Sequence, residues 1–253
     1  MTRPAREVVG RTVPGVTLGG VADTAWTPLY RAGAVCAGLA VVVYVAALVV
    51  VAVTSAPPTS GGADVLAWIA EHRTTYVVRQ VLWRAPSLPL MVVSLALAVA
   101  LRRRGRPVAA VAGMVAVASW ALSFAWPTTG DGAPAMVLLS DRYAEATTAG
   151  QRAPFVAGAE VLLALNDVPS AIGVLQTVGV LLLSLLALRG PLPAPVAWTG
   201  VVTGAVGVVC EALRPVLGWA YVTYGLLLFV WLVLVASALW RHASASRPEA
   251  VPR

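Results

Sequence analysis

Long apolar runs separated by short polar turns dominate this chain, and the length of the runs decides the fold class. Tyr30 to Val53 carries one charge, Arg31, at its edge, and Leu217 to Trp240 carries none. A nearly uncharged apolar run of about 18 or more residues fits a membrane crossing better than a core helix. The pattern predicts spans at Leu29–Val53, Ala85–Leu101, Val108–Trp126, Val168–Leu188, Val196–Leu213 and Leu217–Trp240. The second is short as drawn and extends back through Val77–Trp83. Pro86, Pro89 and Pro169 fall near helix starts, where a missing N–H costs least. The turns Arg102–Pro107 and Arg189–Pro191 are short enough to make the spans they join antiparallel neighbours. The expectation is an all-α polytopic transmembrane bundle of six spans, with short extracytoplasmic helices in two outer loops.

Those two loops carry their own helical signals. Asp64 is placed to cap a short helix whose Val65, Trp68, Ile69 and His72 share one face, suited to the bilayer surface or the bundle. In the second loop, Pro127–Asp167, the tract Thr148-Ala149-Gly150-Gln151 matches a capping box, and Pro154–Leu165 is helical in pattern. Gly200 and Gly204 form a small-xxx-small pair on the fifth span, expected to serve internal packing. Residues 1–28 read as a disordered basic tail, 29–241 as the membrane domain and 242–253 as a second tail. Thr54-Ser55-Ala56 resembles a signal cleavage site, but the apolar run before it exceeds the roughly 7–15 residues of a signal and begins late. A retained span is expected there.

Composition agrees with a membrane class. Apolar residues make up 59% and charged residues 11%, against roughly 45–50% and 25% in soluble domains. The net charge of +7 comes entirely from arginine, since the chain has no lysine. With alternate loops assigned to opposite sides, Arg3, Arg6, Arg11, Arg31, the four arginines at 102–106, Arg189, Arg241, Arg247 and Arg253 share one side with three acids, a balance of +9. Arg73, Arg79, Arg84, Arg142, Arg152 and Arg214 share the other with eight acids, a balance of −2. Positive-inside bias then puts both termini in the cytoplasm, in what the arginine-only, alanine- and valine-rich composition suggests is a bacterial cytoplasmic membrane. Trp26, Trp198 and Trp240 mark the inner interface, and Trp83, Trp126 and Trp219 the outer one. Arginines that flank spans without clustering on a soluble module argue against a nucleic-acid partner.

Ionisable groups inside a membrane are costly and are the natural candidates for function. Glu211 falls in the outer third of the fifth span, with Arg214 three residues on and on the same face; the bland alternative is an interfacial ion pair. Arg79 and Arg84 straddle the start of the second span and could face Glu160, Asp167 or Glu211 across an outward-opening site for an anionic lipid headgroup or a carboxylate. Five positions apart, they are separated by about 140°, so one points inward and one outward unless Pro86 bends the helix. Gln176 is the one carboxamide deep in a span, placed for an interhelical hydrogen bond or a ligand contact. Cys36 and Cys210 read as buried free thiols. No HExxH, GxSxG or phosphate-binding glycine loop occurs, His72 lacks a spaced second ligand, and no cofactor or metal is expected.

The tract Asp141-Arg142-Tyr143-Ala144-Glu145-Ala146-Thr147, followed by Gln151-Arg152, Ala159-Glu160 and an apolar run into Asn166-Asp167, resembles an outer-loop signature. It is similar to that of a family of uncharacterised six-span bacterial membrane proteins known only as a domain of unknown function. The resemblance covers roughly Pro28 to Arg241. It implies the six-span fold and no established activity, so no catalytic residue follows from it. The expected class is a non-enzymatic membrane protein that senses, scaffolds or binds lipid, with the bilayer as its partner and its oligomeric state open. A small-solute transporter is the alternative. An intramembrane enzyme acting on a lipid headgroup, with Glu160, Asp167 or Glu211 as acid or base, comes third.

Overall fold

A computed structural model describes residues 25–126 and 134–245. Most of the basic tail, the stretch 127–133 of the second outer loop, the last eight residues, and the side chains of Arg104 and Trp219 lie outside the described residues. The helices are α1 (Thr27–Val53), α2 (Gly62–Glu71), α3 (Arg73–Arg84), α4 (Ser87–Leu101), α5 (Arg106–Ala125), α6 (Ala135–Glu145), α7 (Ala149–Leu163), α8 (Ala171–Ala187), α9 (Ala194–Ala212), α10 (Arg214–Leu217) and α11 (Val222–Ala245). Short 3-10 turns occur at Arg102–Arg104, Ala164–Asp167 and Gly218–Tyr221. No strand occurs among the described residues.

Six helical stretches are long and apolar enough to cross a bilayer, and the chain is an integral membrane protein: α1, Arg73–Leu101, α5, Ala149–Ala187, α9 and α11. Each span packs on the next, and α11 returns to α1, so α1, α4, α5, α8, α9 and α11 form a closed ring. Lipid offers helices no hydrophobic reason to associate, so close packing through small residues has to hold such a ring. Every seam has one. Gly33 of α1 lies on Ala96 of α4 and Leu239 of α11, Gly113 of α5 on Ala98, and Gly179 of α8 on Ala116. On α9, Gly200 meets Ser184 and Trp231, Gly204 the backbone of Leu181, and Gly207 both Thr177 and Tyr224. The Gly200/Gly204 pair therefore serves packing inside the bundle.

The two long loops form a cap at the ring end opposite the Arg102–Arg106 turn. Helices α2, α6 and α7 pack together over buried Val65, Leu66, Ile69, Met136, Ala159 and Leu163, so the apolar face of α2 lies on its partner helices. The Ser140 hydroxyl donates to the Leu66 carbonyl at 2.7 Å. The capping box forms: Thr148 Oγ1 accepts from the Gln151 N–H at 3.3 Å, and Gln151 Oε1 accepts from the Thr148 N–H at 3.2 Å. Asp64, expected as a cap, sits inside the first turn of α2, whose N-cap is Gly61 with a φ of 82°. The Gly62 N–H instead donates to Glu160 Oε1 at 2.5 Å, so a carboxylate 98 residues away caps this helix.

Two span boundaries differ from expectation. The second span breaks at Ala85–Pro86 into α3 and α4, because proline supplies no N–H to continue the ladder. The last span begins at Val222, beyond Gly218 with its φ of 50°, and runs to Ala245, past the expected end at Trp240. At the arginine-rich end, Arg102 donates to the Val99 carbonyl at 2.9 Å and Tyr30 Oη at 3.3 Å, beneath the Trp26 ring. Trp26, Trp198 and Trp240 at this end, and Trp83 and Trp126 at the other, are exposed, as interfacial tryptophans should be.

Candidate functional site

Glu211 closes the last turn of α9 and is 3% exposed. Its carboxylate lies directly on Gly173, in the first turn of α8. Ser170 caps that helix, accepting from the Gly173 N–H at 3.0 Å. The positive end of the α8 dipole thus faces the carboxylate. Arg214 reaches back one turn, its Nη2 2.6 Å from Glu211 Oε2. The Tyr221 hydroxyl donates to Oε1 at 2.5 Å, and the Arg214 guanidinium sits 5.5 Å from the Tyr221 ring centre. Burial first, and then the Glu211 carboxylate, hold the Tyr221 phenol above its usual range, so it remains a donor. Removing either charge from a pair this buried strands the other.

The pair forms the polar end of a cavity of about 280 Å³ in the capped half of the ring, to which all six spans contribute. Tyr44, Trp83, Trp120, Tyr224 and Phe229 supply aromatic walls. Tyr44 packs on Trp83 at 5.9 Å and on Phe229 at 5.8 Å between ring centres. Of its lining residues, Leu48, Trp83, Val222 and Leu226, on α1, α3 and α11, are exposed. Beside half-buried Ser123, two buried polar side chains line it, Ser87 at 2% exposed and Gln176 at 8%. Neither makes a hydrogen bond to a described residue. Toward the arginine-rich end, Leu97, Leu183, Trp231 and Val235 are buried around a void of only about 10 Å³, barely one water.

Of the residues singled out from the sequence, Gln176, Glu211 and Arg214 line this one cavity. Arg79, Arg84, Glu160 and Asp167 do not line it. Arg79 donates to the Ser55 carbonyl at 3.0 Å and approaches Thr54 Oγ1 at 3.4 Å, tying α3 to the end of α1. Arg84 ends α3, half-buried. Glu160 is committed to the α2 N-terminus, and Asp167 is exposed at the end of its 3-10 turn. The cap thus draws Glu160 to the α2 N-terminus and away from the cavity.

Sequence reasoning missed Tyr44, Ser87, Trp120, Tyr221 and Tyr224 as lining residues. A tyrosine midway along the first span, and a Tyr221/Tyr224 pair just after the Glu211–Arg214 turn, were the available signals. Cys36 and Cys210 are free thiols. His72 stacks on Trp68 at 4.6 Å between ring centres. Among the described residues no group of three or more His, Cys, Asp or Glu side chains could hold a metal. Comparison of the chain with protein-family models, with curated proteins and with solved structures gave no match in any of the three.

Proposed function

We propose that this chain is a non-enzymatic protein of a bacterial cytoplasmic membrane, with both termini inside, that binds a small amphiphilic molecule in the Glu211 cavity as a sensor or scaffold. The observation that carries the reading is Gln176: a nearly buried carboxamide, without a described hydrogen-bond partner, facing an aromatic cavity with exposed lining residues on α1, α3 and α11. The aromatic walls suit an apolar body, and Gln176 and Ser87 suit the polar end. Glu211 and Arg214 cancel each other's charge, which favours an uncharged or zwitterionic head. On the loop signature from Asp141 to Thr147, we also propose membership of the six-span family of unknown function.

A transporter needs a polar path through the ring, and the packed half around Trp231 and Leu183 favours a binding role. An enzyme using Glu211 as acid or base needs a carboxylate oxygen to spare, and both oxygens are engaged by Arg214 and Tyr221. Site-directed labelling tests the proposal. With Cys36 and Cys210 replaced by alanine, Ser87→Cys should react in lipid vesicles with a bilayer-partitioning maleimide, whereas Leu183→Cys in the packed half should not. Equal reaction at both positions, or none at position 87, contradicts it.

A further inference from the structure

A second, separate depression lies on the lipid-facing side of the ring at its arginine-rich end. It runs between the end of α4 and the start of α5, with a volume of about 360 Å³, and its walls are almost wholly apolar. Leu95 and Val99 form one side, Ala110, Met114 and Val117 the other. Gly113 forms the floor, where α5 lies against Ala98. Arg102 and Arg106 stand at its mouth. From Arg106 to Val117 the groove follows α5 over twelve residues, about 16 Å at helical rise. That is close to half of a hydrocarbon core about 30 Å thick, the depth of one leaflet.

Charge decides the headgroup. The turn 102–106 holds four arginines and no acid, and every described carboxylate lies in the capped half or at its edge: Asp64, Glu71, Asp141, Glu145, Glu160, Asp167 and Glu211. Arg106 is therefore an exposed cation at an end of the bundle with no described acid. Arg102 is held in place by Tyr30, the Val99 carbonyl and Trp26, which fixes its charge at the mouth, and Arg106 is exposed beside it.

We infer that this groove is a binding site for an anionic phospholipid, with one acyl chain along α5 and the phosphate between Arg102 and Arg106. The site is independent of the Glu211 cavity. Basic pockets between spans recognise anionic headgroups through the same combination of charge and apolar contact. The test is native mass spectrometry of purified protein given equal phosphatidylglycerol and phosphatidylcholine. Wild type should retain phosphatidylglycerol preferentially, and Arg106→Gln should weaken that retention about fivefold. Ala110→Phe, at an exposed position, should fill the groove and remove retention with every arginine in place. Gln176→Leu should leave it unchanged. Equal retention of the two lipids, or undiminished phosphatidylglycerol in Ala110→Phe, overturns the assignment.

Discussion

The carboxylate of Glu211 packs on the bare Cα of Gly173, so that a β-carbon at position 173 would overlap it. One glycine on α8 thereby sets where the buried charge of α9 can sit. Gly173→Ala should displace the carboxylate from Arg214 and Tyr221 while leaving α8 helical. The check is thermal unfolding in detergent alongside ligand retention. A variant with wild-type stability and wild-type retention would show that the contact is dispensable.

The ion pair should behave as a unit. Glu211→Ala leaves the Arg214 guanidinium, with only 15% of its side chain exposed, without its carboxylate, a loss of about 3–5 kcal/mol for a buried pair. The double substitution Glu211→Ala with Arg214→Gln should recover much of that loss, since no charge is then stranded. Unfolding of the four proteins of this cycle measures the coupling, and additive losses would mean that the two side chains do not act on each other.

Packing of α9 on α8 is expected to tolerate no added volume at Gly204. A β-carbon there meets the backbone of Leu181, which cannot swing aside as a side chain can. Gly204→Ala should cost about 1–3 kcal/mol, whereas Gly38→Ala, with open space around it, should be nearly neutral. Comparable melting points for the two variants would contradict this assignment of the seam.

In the cap, Glu160→Ala removes the acceptor for the α2 N-terminus and should cost about 1 kcal/mol. Hydrogen exchange should show the first turn of α2 opening while the spans stay protected. Arg73→Gln breaks only an exposed pair with Asp141 and should change stability by no more than about 1 kcal/mol. If the exposed pair mattered more than the cap, the order of the two effects would reverse.

The spans were legible because a bilayer imposes a length that few other folds demand, and runs such as Tyr30–Val53 meet it without charge. The capping box at Thr148 was equally legible, since donor and acceptor lie three residues apart. Glu160 was harder. Its partner, Gly62, is 98 residues away, and no local spacing announces such a pairing. The cavity was half visible for the same reason: Glu211 and Arg214 share a helix turn, whereas Ser87, Tyr44 and Gln176 converge on them only after the ring closes. Arg79 and Arg84 read as site residues because charge near a span stands out, yet Arg79 spends its donors on the end of α1.

Native mass spectrometry of the intact protein extracted from its own membrane tests the Glu211 cavity most directly. Wild type should carry a discrete small mass, and Gln176→Leu should lose it while the phospholipid adducts of the α4–α5 groove persist. Identical spectra for the two proteins, or a mass that survives Gln176→Leu unchanged, would contradict a ligand held in the Glu211 cavity.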